Sequence, residues 1–289
     1  MRLCRYDDNR LGLVEGNALR DVTRTAEQLP QLRWPFPHGD QLIASLEGLK
    51  QAILTAAEAS PRRLTSEVKL LSPVANPPRI IGTPLNYKLH VDETADPAIN
   101  HGVHLANYDG FETPIEKHGL FLKSQTGAVG PGEGIEIKFP GRRNDHEVEL
   151  AVIIGRGGKN IPREYAFDHI AAYTIGLDMT VRGTEDRSFR KSADSYSVLG
   201  PWLVTKDEIQ RPDQLNLRIT VNGKIRQSAN TRDLLVPIPD LIARVSNVYA
   251  LYPGDVIMTG TPEGVAEVQP GDTLIASIDE IGAMEVKVR

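Results

Sequence analysis

The stretch Asn144–Gly155, NDHEVELAVIIG, decides how the rest of the chain is read. It has the composition of a β-strand, yet acids stand at alternate positions: Asp145, Glu147 and Glu149. Successive strand side chains point to opposite faces. The three carboxylates therefore share one face, and His146, Val148, Leu150, Val152 and Ile154 take the other. A solvated edge strand would explain the charges. It would not explain why the acidic face runs on into Ala151 and Ile153, which are core-type residues. Ionised carboxylates buried without partners are costly. A cation removes that cost, and ligands that are all oxygen select hard ions: Mg²⁺, Mn²⁺ or, as a third candidate, Ca²⁺.

A divalent ion wants a further acid from elsewhere. The stretch Ala171–Gly183, AAYTIGLDMTVRG, is strand-like up to Leu177 and ends at Asp178, with Arg182 close behind. A turn or helix-cap aspartate is the plain alternative there.

Outward from these two stretches, β signals dominate. GPGEGIEIKFP, PGDVIMTG and PGDTLIASI each set a Pro-Gly turn before an alternating run. LRITVNGKIRQ carries Asn222-Gly223 between alternating apolar residues, a strong hairpin signal. The first residues, MRLCRYDDNRLGLVEGNALRDVT, read as short strands with Asp-Asn and Gly-Asn turns. Residues Gly39–Ser60 have apolar positions at helical spacing. Three prolines between Ser72 and Arg79 break the chain. The expectation is a small N-terminal α+β domain over residues 1–72 and a mostly β domain over 73–289. Asp92–His118 is polar and aperiodic and reads as a long lid or binding loop. His101 and His104 lie in it without acidic company suited to a metal.

Composition narrows the class. The chain has 289 residues, 40% hydrophobic and 25% charged, as in an ordinary globular protein. A net charge of −5 disfavours a nucleic-acid surface. Cys4 is the only cysteine, so an internal disulfide and Cys-based zinc or redox motifs are excluded. No run approaches a membrane span. These features point to a cytoplasmic protein with no nucleic-acid or membrane partner.

Taken in order, EVELAVIIG, YTIGLDMTVR, KS, GPW and TGTPEGV resemble the fumarylacetoacetate hydrolase superfamily, from about Pro78 to the C-terminus. The resemblance implies a roll of mixed β-sheets, a β-sandwich-like α+β fold that is mostly β, with the small N-terminal domain beside it. It implies that Glu147, Glu149 and Asp178 bind the metal, usually Mg²⁺ or Mn²⁺, while Asp145 does not. NYKLHVDE supplies His90 and Glu93 at i, i+3, neighbours on a helical turn. The resemblance makes them a His–Glu dyad on a short helix closing over the substrate. Lys191 joins them as a catalytic residue, and Lys123, Arg182, Glu185 and Thr261 are expected at the substrate. The chain departs from the family pattern at Leu177, where Asn is usual, at Gly183, where Asp is common, and at Glu185, where a substrate-facing Gln is usual.

The implied chemistry is C–C bond hydrolysis of an acylpyruvate, a 2-oxo acid with a 1,3-diketone, in the breakdown of aromatic compounds. His90 would activate water, and the ion would stabilise an enolate. Isomerisation, hydration or decarboxylation of a 2-oxo diacid needs the same intermediate and remains an alternative, as does an inactive ligand-binding protein of the same fold. Relatives implied by the resemblance are homodimers.

Overall fold

The two acid-bearing runs become neighbouring antiparallel strands, Val148–Ile154 and Ile170–Asp178. The computed structural model describes residues 1–100 and 110–289. Val148–Ile154 is buried at every position and Ile170–Asp178 at all but Ala171. Their near-continuous apolar runs suit strands covered on both faces.

They lie inside the largest sheet. Its path runs Arg62–Leu64, Ala18–Asp21, Arg10–Glu15, Arg2–Tyr6, Ser197–Thr205, Ile170–Asp178, Val148–Ile154, Val256–Met258, Ile80–Gly82, Phe121–Lys123. A four-stranded sheet is ordered Lys224–Asn230, Asn216–Val221, Thr273–Ile278, Gly282–Lys287. A small sheet joins Thr180–Val181, Asn144–His146 and Ala266–Glu267. The architecture is α+β and mostly β.

Local chemistry explains the elements. Asn222 and Gly223 both have positive φ, 50° and 78°, as a type I′ hairpin turn demands. Asp7 and Asn9, in the connection between the first two strands, also have positive φ, 44° and 63°. The helix Gln41–Glu58 is capped by Asp40, whose side chain accepts from the Ile43 amide. Its Leu46, Leu49 and Ile53 pack on Leu3, Leu11 and Leu13, each burial giving about 1.5–3 kcal/mol. This N-terminal region has its own apolar cluster, yet Leu3 pairs with Leu203, so its strands extend the large sheet.

Three stretches differ from their sequence reading. GIEIKFP forms no ladder; Ile135 and Ile137 instead follow the last residues through main-chain bonds to Lys287 and Arg289. The Asp92–His118 segment holds two short helices, Pro97–Asn100 and Pro114–His118, the second with proline at its first turn. His101 and His104 lie outside the described residues. Finally, the single strand expected over Asn144–Gly155 is two strands. Asn144–His146 belongs to the small sheet and Val148–Ile154 to the large one. Glu147 sits where the chain crosses between them. Among the described residues no helix is long and apolar enough to cross a membrane.

Candidate active site

Strand register assembles the acids. Val148 faces Leu177 and Glu149 faces Gly176, which sets Glu147 across from Asp178. The Asp178 amide donates to the Glu147 carbonyl at 2.9 Å. Side chains directly opposite on one face stand about 4.5–5.5 Å apart at Cβ. Glu149 follows two residues along the same face, opposite Gly176, where a Cβ would stand 2.6 Å from the Met258 methyl. One carboxylate oxygen from each of Glu147, Glu149 and Asp178 lies within 4.8 Å of the others, and all three residues are buried.

Cations compensate most of this charge. Asp145 accepts from Arg143 Nε and Arg182 Nε, both at 2.8 Å. Glu147 accepts from Arg182 Nη2 and Lys191 Nζ at 2.8 Å. Asp178 accepts from Lys191 Nζ at 2.8 Å and from Lys123. Burial alone would raise the Glu147 pKa, but Lys191 and Arg182 overcome it and hold the carboxyl well below the usual range. Glu149 differs. Burial, then the charges of Asp178 and Glu147, push its pKa well above 4.5, against the Gly260 amide that donates to it at 2.6 Å.

A hard divalent ion fits this set: three clustered oxygen donors, dry surroundings, and one carboxyl whose charge the protein does not offset. Binding must displace the Glu149 proton. Uptake of Mn²⁺ is therefore expected to release about one proton, with affinity rising about tenfold per pH unit while Glu149 remains protonated. Calorimetry in buffers of different ionisation enthalpy measures this; pH-independent affinity with no proton released would contradict it.

Across from the acids stands the helix Lys88–Glu93. His90 Nδ1 lies 2.8 Å from Glu93 Oε2. An ionised carboxylate only accepts, so Nδ1 donates and Nε2 keeps its lone pair. Glu93 Oε1 accepts from the Gly264 amide at 2.9 Å, tying the dyad to the Thr261–Gly264 turn. Asn86 anchors the approach to the helix, its Nδ2 donating to the Thr259 carbonyl at 2.8 Å and its Oδ1 accepting from the Val236 amide at 2.8 Å. Gly260, at φ 103°, lets this turn pass Asn86: a Cβ there would stand 2.6 Å from the Asn86 Cβ. Leu85, on the cleft wall, is a non-glycine residue at φ 52°, the kind of strain that gathers at functional sites.

One cleft brings together His90, Glu147, Glu149, Asp178, Arg182, Lys191 and Thr261 on its wall. Thr261 Oγ1 donates to the Val148 carbonyl at 2.9 Å and accepts from Gln227 Nε2 at 2.8 Å. Its hydroxyl proton is thus committed, and a lone pair is what it can offer a ligand. Lys123 is not on the wall. It is fully buried beneath Asp178 and also donates to the Lys191 carbonyl. Burial and then Lys191 lower its pKa, with Asp178 opposing.

Glu185 is also outside the cleft. Arg142 grips it with two bonds of 2.8 Å, and this pairing lowers its pKa to about 2. A side chain at position 183 would strike Arg142 Nη2 at 2.0 Å and Glu185 Oε2 at 2.3 Å. Gly183 and Glu185 are therefore one feature, the glycine making room for the ion pair. Leu177 points away from Asp178, into the apolar core.

Sequence reasoning passed over Arg187, Arg190, His118 and Phe121, which also line the cleft. Arg187 and Arg190 share the short helix Arg187–Lys191 with Lys191, at i−4 and i−1 from it. That spacing was a usable signal. Gln227 had none, since it reaches His146, 81 residues away, only through the fold.

The chain matches the family model described as fumarylacetoacetate (FAA) hydrolase C-terminal over residues 79–289. Maleylpyruvate hydrolase of Aquipseudomonas alcaligenes is 50% identical over 290 residues, covering 100% of this chain and 99% of that protein. The crystal structure of maleylpyruvate hydrolase from Sphingobium sp. SYK-6 in complex with manganese(II) ion and pyruvate matches with a TM-score of 0.83 at 38% identity, covering 100% of this chain and 98% of that chain. A mitochondrial oxaloacetate tautomerase of Bos taurus is 33% identical over 294 residues, covering 96% of this chain and 87% of that protein. With the family's domain spanning most of its length and the carboxylate cluster at the centre of that span, the chain belongs to the fumarylacetoacetate hydrolase family.

Proposed function

We propose that this protein is a metal-dependent hydrolase that cleaves the C–C bond of an acylpyruvate, with maleylpyruvate the leading substrate. The observation that carries the reading is one cleft holding both an oriented imidazole and three clustered carboxylates. The 50% identical maleylpyruvate hydrolase supports it. Glu147, Glu149 and Asp178 would hold Mg²⁺ or Mn²⁺. When bound, that ion supplies Lewis-acid stabilisation for negative charge developing on the 2-oxo-acid half of the substrate.

The chain's own residues do the rest. Glu93 holds the imidazole so that His90 Nε2 takes a proton from water. The water oxygen adds to the acyl carbonyl, and the bond from that carbon to the neighbouring CH₂ breaks. The acyl half leaves as a carboxylic acid that gives its proton to solvent, and His90 returns the proton it took from water to the carbon of the pyruvate enolate. Lys191 keeps Glu147 and Asp178 in place, and Lys123 supports both Asp178 and Lys191 from below.

A second reading is tautomerisation or isomerisation of a 2-oxo diacid, favoured by the 33% identical oxaloacetate tautomerase. It needs the same proton transfer without attack by water. Assay with Mn²⁺ over a panel of acylpyruvates, oxaloacetate and unsaturated oxo diacids separates them. Hydrolysis predicts loss of enol absorbance with pyruvate as product, abolished by chelator. Isomerised diacid with no pyruvate formed would replace the hydrolase reading by the second.

A cytoplasmic homodimer completes the proposal. Cys4, buried and unpaired, suits a reducing compartment. Trp34 and Phe36 are strongly exposed, as at subunit contacts. Light scattering of the purified protein tests the dimer; a monomer at micromolar concentration would count against it.

A further inference from the structure

Resting on the acylpyruvate reading, we infer that Arg187 receives a second carboxylate of the substrate, so that the cleft selects dianionic acylpyruvates over monoanionic ones. The other cations near the acids have acceptors within the protein, Arg190 Nε donating to the Glu185 carbonyl at 2.8 Å. Arg182 is spent on Asp145 and Glu147, and Lys191 on Glu147, Asp178 and Thr180. Arg187 has a different environment. Its Nη2 donates to the His118 carbonyl at 2.7 Å, and its guanidinium lies over the Phe121 ring at 5.8 Å. Its Nη1 is buried and has no hydrogen-bond partner among the described residues. The neighbouring acid, Asp186, is exposed and caps the helix, accepting from the Ser188 amide and hydroxyl. A guanidinium stays charged and cannot accept. An N–H left unmet on a cleft wall calls for an acceptor from the ligand.

Position and charge agree with this. Arg187 and Lys191 stand at i, i+4 on one short helix, and Lys191 Nζ also lies over Phe121, at 5.2 Å. Such pairs are about 5–6 Å apart at Cβ. Lys191 reaches the carboxylate cluster, so Arg187 lies about one helical turn farther along the cleft. With the 2-oxo-acid end at the cluster, a carboxylate at the far end of a short acyl chain falls near Arg187. The ion pairs around Asp145, Glu147 and Asp178 engage Arg143, Arg182, Lys123 and Lys191. Arg187 adds a further positive charge on the cleft wall, which a second carboxylate on the ligand offsets.

The test compares Mn²⁺-loaded parent, Arg187→Gln and Arg187→Lys on maleylpyruvate and on acetylpyruvate, which lacks the second carboxylate. The ratio of kcat/KM for maleylpyruvate over acetylpyruvate should fall about 30–100-fold in Arg187→Gln, carried by KM, with Arg187→Lys intermediate. Maleate, the far-end product, serves as a calorimetric probe and should bind about tenfold or more weakly in Arg187→Gln. Equal losses on both substrates, or an unchanged ratio, would overturn the assignment while leaving the hydrolase reading intact. Arg187-dependent maleate binding in a parent protein that hydrolyses no acylpyruvate would retain the anion seat and discard the hydrolase.

Discussion

Glu149→Gln will lower acylpyruvate hydrolysis by about 10³-fold or more, because a lost ligand removes several kcal/mol of charge stabilisation from the transition state. The same change should not weaken the metal-free fold. Glu149 has a folded-state pKa raised above 4.5 by burial, Asp178 and Glu147. A carboxyl raised in this way favours folding while protonated, and that contribution disappears as pH climbs through the folded-state pKa. The metal-free parent therefore loses stability toward alkaline pH. Glutamine is neutral throughout and can still accept the Gly260 amide, so the variant should match or exceed the metal-free parent in Tm at pH 8.

Metal reverses the order. Mn²⁺ at a hundredfold excess over Kd adds about 2.7 kcal/mol to the parent, or roughly 5–10 °C in Tm, and little to the variant. Thermal melts with and without Mn²⁺ measure both. A variant that is less stable without metal, yet still stabilised by Mn²⁺, would show that Glu149 is a structural residue and not a ligand.

His90→Ala is the second large effect, with kcat falling about 10²–10⁴-fold, the usual worth of a positioned base. Here the metal response must survive. His90 acts from the helix Lys88–Glu93, across the cleft from the carboxylates. Glu93→Gln should cost less, since it misorients the imidazole without removing it. The double variant should be no slower than His90→Ala alone, because Glu93 acts through His90. Steady-state kinetics on the three variants decide this. Additive losses would give Glu93 an independent role, and loss of the Mn²⁺ melting shift in His90→Ala would place His90 in the metal shell.

How much of this was legible in the sequence depended on range. Alternation marked Asp145, Glu147 and Glu149 as one face, and the apolar run before Asp178 marked a buried strand end. Both are local signals; the structure clusters Glu147 and Glu149 with Asp178 and sets Asp145 in another sheet. Alternation does not say what lies opposite a face. It could not show that Asp145 belongs to a different sheet from Glu149, or that Arg143 and Arg182 neutralise it. The Asn222-Gly223 hairpin was equally plain, because backbone handedness is a local property. GIEIKFP had the same alternation and failed as a strand because its partner is the irregular end of the chain.

At His90 and Glu93 the spacing gave only neighbours on a helical turn and the family resemblance made them a dyad; the structure sets Nδ1 2.8 Å from the carboxylate. The site was obscure where function depends on pairing at a distance. Lys123 lies under Asp178 instead of facing the cleft, and Glu185 is held by Arg142, which is 43 residues away. Nothing local distinguishes a lysine at a strand margin that points inward from one that points to solvent. Arg187 was in view throughout, one turn from Lys191, and only the fold shows its Nη1 without a partner among the described residues.

The central claim is that carboxylates from two neighbouring strands hold a single hard cation that the chemistry requires. Anomalous scattering at the manganese edge, from crystals grown with Mn²⁺, tests it most directly. A single strong peak is predicted within bonding distance of Glu147, Glu149 and Asp178, with none in crystals of Glu149→Gln. Density for manganese elsewhere, with those three side chains still held by Lys191, Lys123, Arg182, Thr180 and the Gly260 amide, would contradict the account.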